Sequence, residues 1–322
     1  MSQPSTATPL LEVRDLAVHI PTRIKLRRAL VRAVDGVSFK VERGRTLGLV
    51  GESGCGKTTT ARAAMRLIEA TSGQILLRGR DITHLKGEEL RSLRRHFQIV
   101  FQDPYSALNP RLTVEQIIAE PMRAQGADNA QVRARVDELL DLVGLSPRHR
   151  QSFPHQFSGG QRQRIGTARA LATKPDVVIL DEPVSALDVS VQAQVVNLFT
   201  DLQDELDMGL IFISHDLSVV RHLCDDVAVM YLGKIVEQGT VEQVMESPQH
   251  PYTQALISAA PGRPDDRERI VLTGDVPSPV NPPSGCTFRT RCWKATEKCL
   301  ERPGLEQPEG ADHPVACWFP GE

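Results

Sequence analysis

TLGLVGESGCGKTTTARAAMRL (46–67) is the stretch on which the reading of the fold turns. An apolar run ends at Val50, a glycine-rich stretch follows, and an alanine-rich periodic segment opens near Lys57. This order predicts a buried strand, a tight turn and a helix. Gly51-Glu52-Ser53-Gly54-Cys55-Gly56-Lys57-Thr58-Thr59 fits the pattern G-x-x-x-x-G-K-[ST] in the strand-to-helix context the pattern needs. Its small residues let backbone N–H groups turn inward around phosphate oxygens, and a helix N-terminus adds positive dipole. Lys57 is placed to reach the β- and γ-phosphates, and the Thr58 hydroxyl to ligate Mg²⁺. Cys55 is expected only to be small enough for the loop.

Working outward, DVVILDEP (176–183) reads as a second buried strand, ending in Asp181 and Glu182. An acidic pair at a strand end is by itself an ordinary loop start. Coupled to a phosphate loop, Asp181 is the Mg²⁺-organising carboxylate and Glu182 the group that polarises the attacking water. GLIFISHD (209–216) is another apolar strand ending in polar residues, and DVAVMYLGKIVEQG (226–239) reads as two strands around a glycine turn. QILLRGRDI (74–82) is strand-like. Between Leu10 and Val41, β-like stretches flank the basic RIKLRRALVR (23–32), read as a loop or hairpin. Residues 96–170 are rich in Gln, Arg and Ala, with Pro104, Pro110, Pro121 and Pro154 as breakers, and read as a helical insertion. Residues 1–9 read as a disordered tail.

Composition narrows the field. A formal charge of −2 argues against a generally basic nucleic-acid binder. Aromatics make up only 4% of the 322 residues, while branched aliphatics are plentiful, as in α/β proteins with strands buried on both faces. The polar MSQPSTATP start has no apolar core of an export signal, and no apolar run approaches the roughly 20 residues of a membrane span.

Phe157-Ser158-Gly159-Gly160-Gln161 resembles the signature motif of ATP-binding cassette (ABC) ATPases, usually LSGGQ, with Phe for the first Leu. Gln102 in VFQDP resembles the Q-loop glutamine, Ser185-Ala186-Leu187-Asp188 the D-loop, and His215 in FISHD the switch histidine. The resemblance covers residues 10–245. It implies a P-loop NTPase core with an antiparallel β subdomain, an inserted helical subdomain over about 96–170, ATP and Mg²⁺ as ligands, and ATP hydrolysis. It implies that Gln102 and Asp181 complete the Mg²⁺ and water shell, that Glu182 is the general base, and that His215 contacts the γ-phosphate. Ser158, Gly160 and Gln161 act in trans on the nucleotide of a paired ATPase domain. One departure stands out. The family stacks adenine on an aromatic residue ahead of the phosphate loop, and residues 1–38 contain none; His19, Ile20 or an arginine of RIKLRR is left to cover the base.

HPYTQAL (250–256) and SPVNPPSGCTFRTRC (278–292) resemble the ATP-binding subunits of dipeptide, oligopeptide and nickel importers. FQDPYSALNPR (101–111) resembles the second of the two ATPase subunits in such systems. The implied partners are a second ATPase chain forming a heterodimer, two transmembrane permeases and an extracytoplasmic binding protein, with the chain peripheral on the cytoplasmic face of the plasma membrane. Residues 246–322, rich in Pro and Gly, are expected to form a small C-terminal domain. Its cysteines, Cys286, Cys292, Cys299 and Cys317, lack the C-x2-4-C pairs of zinc sites, and spacing alone leaves cluster, zinc and no metal open. The resemblance implies a [4Fe–4S] cluster, with Trp293 and Trp318 shielding it. The competing functions are a soluble ABC ATPase acting on nucleic acid or ribosomes, and a nucleotide-regulated module that does not hydrolyse. The lone cassette without heptads speaks against the first, and Glu182 against the second.

Overall fold

The computed structural model describes residues 8–24, 27–103, 107–185, 187–260 and 269–321. The expected disordered tail falls almost wholly outside these residues, as do Pro104 and Ala186. The chain divides into two compact units, Met1–Lys40 with Thr46–Thr83 and Ile213–Glu322, and Val41–Arg45 with His84–Phe212.

The first unit holds two β systems. β1 (Leu11–Ile24), β2 (Arg27–Val41), β4 (Ser72–Leu77) and β5 (Arg80–Asp81) form a sheet in the order β2-β1-β4-β5. β1 and β4 run antiparallel, with Leu11 opposite Leu77 and Val13 opposite Ile75. QILLRGRDI is therefore two strands and not one. Arg78 and Gly79 both take positive φ, the geometry of a tight two-residue hairpin. β3 (Thr46–Val50) is fully buried and parallel to β9 (Asp226–Tyr231), which pairs antiparallel with β10 (Lys234–Thr240). The turn between β9 and β10 uses Leu232 and Gly233, again at positive φ.

In the second unit β6 (Phe97–Val100) and β7 (Val177–Asp181) are parallel, Phe97 opposite Val177 and Val100 opposite Leu180, and β8 (Gly209–Ser214) lies beside β7. The first residues of the expected helical insertion are thus a core strand. FQIV is too short and too evenly apolar to show its period. Three helices follow, Val114–Ala124, Asn129–Leu142 and Gly159–Leu171. Each opens with a reciprocal capping box, Thr113 with Gln116, Asp128 with Gln131 and Ser158 with Gln161. Pro121 does not break its helix. It lies inside Val114–Ala124, which ends three residues later, after the lost N–H has removed one ladder bond.

The C-terminal residues are not set apart as a compact unit of their own; they cluster with the first unit. Among the described residues of 269–321 the buried apolar side chains are Phe288, Cys299 and Val315, too few for a core. The segment instead packs on β9, β10 and the helix Pro251–Ala259. Phe288 meets Tyr231 edge-on at 5.2 Å and lies 5.4 Å from Tyr252. His313 is buried with Nε2 2.7 Å from Glu237 and Nδ1 2.6 Å from Asp312. Burial alone would lower its pKa, but the two carboxylates outweigh that and raise it above 6.5. Both nitrogens face carboxylates, so the doubly protonated ring can donate on both sides. The folded state therefore gains stability that is complete below 6.5 and fades as pH rises through the raised value. His313→Gln is expected to cost about 3 kcal/mol at pH 6, because buried Glu237 loses its counter-charge, and to abolish this pH dependence in urea melts.

Candidate active site

The phosphate loop lies between β3 and the helix Lys57–Ala64, as the sequence predicts. Two glycines make its path possible. A Cβ on Gly51 would lie 2.2 Å from the Met230 carbonyl oxygen, and one on Gly56 would lie 2.3 Å from that of Ala33. Both glycines also hold positive φ. Nothing stands near a Cβ on Gly54, so that side of the loop is open. The N-cap residue of the helix Lys57–Ala64 is Gly56, which has no side chain to cap it, and the helix N-terminus faces the loop that would receive an anion. Lys57 is buried, and its Nζ donates to the carbonyls of Gly51 (2.7 Å) and Glu52 (3.0 Å). Cys55 is buried with a thiol pKa raised by burial, consistent with a packing role. Ser53, Thr58 and Thr59 occupy the loop and the first helical turn.

His215, exposed just past the end of β8, belongs to the same unit. Asp216 after it caps the helix Leu217–Leu223 by accepting from Ser218 N at 2.9 Å.

The second unit gathers another set. Asp181 is buried at the end of β7. Glu182 follows at φ 47°, an uncommon backbone for a residue with a side chain. Gln102 Nε2 donates to Glu182 Oε2 at 2.9 Å, and Ser185 Oγ donates to the Glu182 carbonyl at 3.0 Å. Gln102, Glu182 and Ser185 are therefore one hydrogen-bonded group. The signature segment opens the helix Gly159–Leu171. Phe157, in the place of the usual Leu, is buried against His149, ring centroids 5.2 Å apart. Ser158 and Gln161 cap each other, and a Cβ on Gly160 would strike Val191 at 2.6 Å.

Of the candidates for covering adenine, His19 lies 3.2 Å from the Asp35 carboxylate, while Ile20 is exposed. The arginine side chains Arg23 and Arg28 are exposed.

The four late cysteines converge. Cys286, Cys292, Cys299 and Cys317 line one cavity of about 10 Å³ with His250, Phe288, Lys294 and Trp318. That is room for about one water. Among the described residues no three His, Cys, Asp or Glu side chains are gathered closely enough to hold a metal ion as they stand. The expected cluster site is corrected to that extent. Burial raises the thiol pKa of Cys286 and Cys292, and pushes Cys317 up to about 11, with the other thiols adding to it. Protonated thiols pack as small apolar groups. Trp318 lines the cavity, but Trp293 is about half exposed and shields nothing. The Lys294 Nζ is buried and has no hydrogen-bond partner among the described residues. His250 accepts from Tyr252 N at 3.0 Å, and burial with nearby Lys294 lowers its pKa to about 3, so it is neutral.

One contact to the phosphate loop has no signal in the sequence. Arg291 forms a two-pronged ion pair with Glu52, at 2.7 and 3.1 Å. The two residues are 239 positions apart.

Comparison with known proteins agrees with this arrangement. The profile of the ABC transporter family matches residues 34–185, and that of the oligopeptide/dipeptide transporter C-terminal region matches 236–299. The oligopeptide transport ATP-binding protein AppF of Bacillus subtilis is 51% identical over 317 residues, 96% of each chain. The dipeptide transport ATP-binding protein DppF of Haemophilus influenzae is 52% identical over 306 residues, 93% of this chain and 94% of that one. Among solved structures, cbiO1 of Clostridium perfringens, part of the ABC transporter complex cbiONQ, superposes with TM-score 0.65 at 28% identity, covering 74% of this chain and 91% of that one. A dimeric ATP-binding cassette in a post-hydrolysis state with ADP and phosphate gives 0.63 at 25% identity, covering 72% and 98%. With a phosphate loop, a Gln102–Glu182 pair and a signature helix on one chain, and relatives matching from end to end, the chain belongs to the ATP-binding subunits of the oligopeptide/dipeptide family of ABC transporters.

Proposed function

We propose that this chain binds and hydrolyses ATP to energise import of dipeptides or oligopeptides through a membrane complex. The observation that carries the reading is the match to peptide-transport ATP-binding proteins along both the cassette and the tail. Lys57 and the backbone of Gly51, Ser53, Gly54, Cys55, Gly56, Thr58 and Thr59 hold the phosphates. Thr58, Gln102 and Asp181 would hold Mg²⁺, which would supply positive charge against the transferred phosphoryl. Glu182 takes the proton of the attacking water while Gln102 orients its carboxylate, and His215 contacts the γ-phosphate. Ser158, Gly160 and Gln161 serve the nucleotide of a second ATPase chain, most simply a different one. Among the described residues no helix is long and apolar enough to cross a membrane. The likeness to peptide-transport ATP-binding proteins supports two permeases that supply the path and an extracytoplasmic protein that delivers cargo. Affinity purification from membranes tests this. Recovery with two permeases and a second ATPase is expected; recovery with ribosomes or DNA would overturn it in favour of a nucleic-acid role.

We infer an iron–sulfur ligand set in the tail from its donor chemistry alone, since the thiols must draw together to hold a metal. Four thiols line one cavity, and the buried, unpaired Lys294 ammonium beside them lacks the negative charge that a thiolate-bound cluster supplies. Cys286, Cys292, Cys299 and Cys317 would hold a [4Fe–4S] cluster, stapling a segment with little core of its own. Anaerobic purification is expected to yield about four irons per chain, lost in Cys292→Ser. Iron-free protein with an unchanged melting temperature in Cys292→Ser would remove the ligand assignment.

A further inference from the structure

We propose that Arg291 is a positioning residue for ATP, through which the C-terminal tail holds the phosphate loop in its binding conformation. The inference rests on reading that loop as the ATP site. Every polar group of Glu52 is engaged. Its carboxylate takes both prongs of Arg291. Its N–H donates to the Tyr252 hydroxyl at 2.8 Å, and its carbonyl accepts from Lys57 Nζ at 3.0 Å and from Cys55 N at 3.3 Å. The Tyr252 ring is fully buried between Tyr231 (4.7 Å) and Phe288 (5.4 Å). Arg291 N in turn donates to the Phe288 carbonyl at 2.9 Å. The tail thus reaches the loop twice, through one arginine and one aromatic stack, and both contacts end on the same residue.

The chemistry gives that contact a purpose. A carboxylate inside an anion-binding loop repels the phosphates it should admit. Arg291, with only 8% of its side chain exposed, cancels that charge and fixes its direction by the two-pronged geometry that only guanidinium supplies. The Glu52 carbonyl that holds Lys57 is on the same residue, so freeing the side chain also loosens the lysine. Binding energies are reciprocal: if the docked tail favours ATP, bound ATP favours the docked tail.

The test is steady-state hydrolysis by the assembled importer, with a double-mutant cycle. Arg291→Gln is expected to raise the KM for ATP about ten-fold, the worth of one charge-assisted hydrogen bond, with kcat changed much less. Arg291→Lys recovers part of the loss, keeping charge without the fork. On a Glu52→Gln background the same Arg291→Gln substitution is expected to change KM by less than about two-fold. An arginine that merely packed the tail would lower the melting temperature on both backgrounds and leave KM alone. An unchanged KM, or an equal rise on both backgrounds, overturns the proposal. Should Arg291→Gln be insoluble, hydrogen exchange in 285–292 of the full chain decides. ATP is expected to slow it in the wild type and not in Glu52→Gln, and the same slowing in both would overturn the coupling. Lys57→Ala is the control. If it leaves the KM for ATP unchanged, the loop is not the ATP site, which is a separate failure.

Discussion

Glu182→Gln is expected to lower ATP turnover about a thousand-fold while ATP still binds, because the change removes the proposed general base and little else. The local geometry isolates the chemistry. Gln102 donates to Glu182 Oε2 at 2.9 Å, and an amide oxygen at that place accepts the same bond. Ser185 bonds to the Glu182 carbonyl, which the substitution does not touch. The backbone at φ 47° is shared by both side chains. What is lost is the proton acceptor. Single-turnover hydrolysis set beside equilibrium ATP binding separates the two steps. Turnover within a few-fold of wild type would move the base to another residue. A parallel loss of binding would mean instead that Glu182 holds the site together.

The parts legible in the sequence were those written locally. The phosphate loop declares itself because glycines, lysine and threonine must sit within nine residues, between a strand and a helix. The signature helix is announced by its own cap, Ser158 with Gln161. β7 and β8 are continuous apolar runs because both faces are covered, and their polar ends mark where Asp181 and His215 fall. What stayed hidden depends on distant partners. Phe97–Val100 reads as part of a helical region until its parallel partner, Val177–Asp181, is known. The tail reads as a domain because its composition changes after residue 246. Among the described residues of 269–321 three buried apolar side chains are too few for a core, and Phe288 packs instead on Tyr231 and Tyr252. In the sequence Arg291 is one residue among several in SPVNPPSGCTFRTRC. Its meaning lies in Glu52, which no spacing rule connects to it.

Lys57→Ala is expected to weaken ATP binding a hundred-fold or more, roughly the cost of removing one partner from a buried charge pair. In the structure the ammonium is already buried and directed, since Gly51 and Glu52 carbonyls hold it at 2.7 and 3.0 Å. Part of the ordering cost of phosphate binding is thereby met before ATP arrives. The substitution also takes the Lys57 donor from both carbonyls, leaving that of Glu52 with Cys55 N alone, at about 1–3 kcal/mol if water does not replace it. A melting curve therefore has to accompany the titration. Lys57→Arg sharpens the result. It keeps the charge, but replaces a compact ammonium that two carbonyls hold at 2.7 and 3.0 Å with a longer, planar fork of different donor geometry. Both variants are expected to lose ATP, and Lys57→Arg without a fall in net charge. If Lys57→Arg bound ATP normally, positive charge alone would suffice, and the geometry of the loop would count for less than its field. If only Lys57→Ala failed, and its melting temperature fell by enough to unfold the chain at the assay temperature, the loss would belong to the loop's own hydrogen bonds and not to the phosphates.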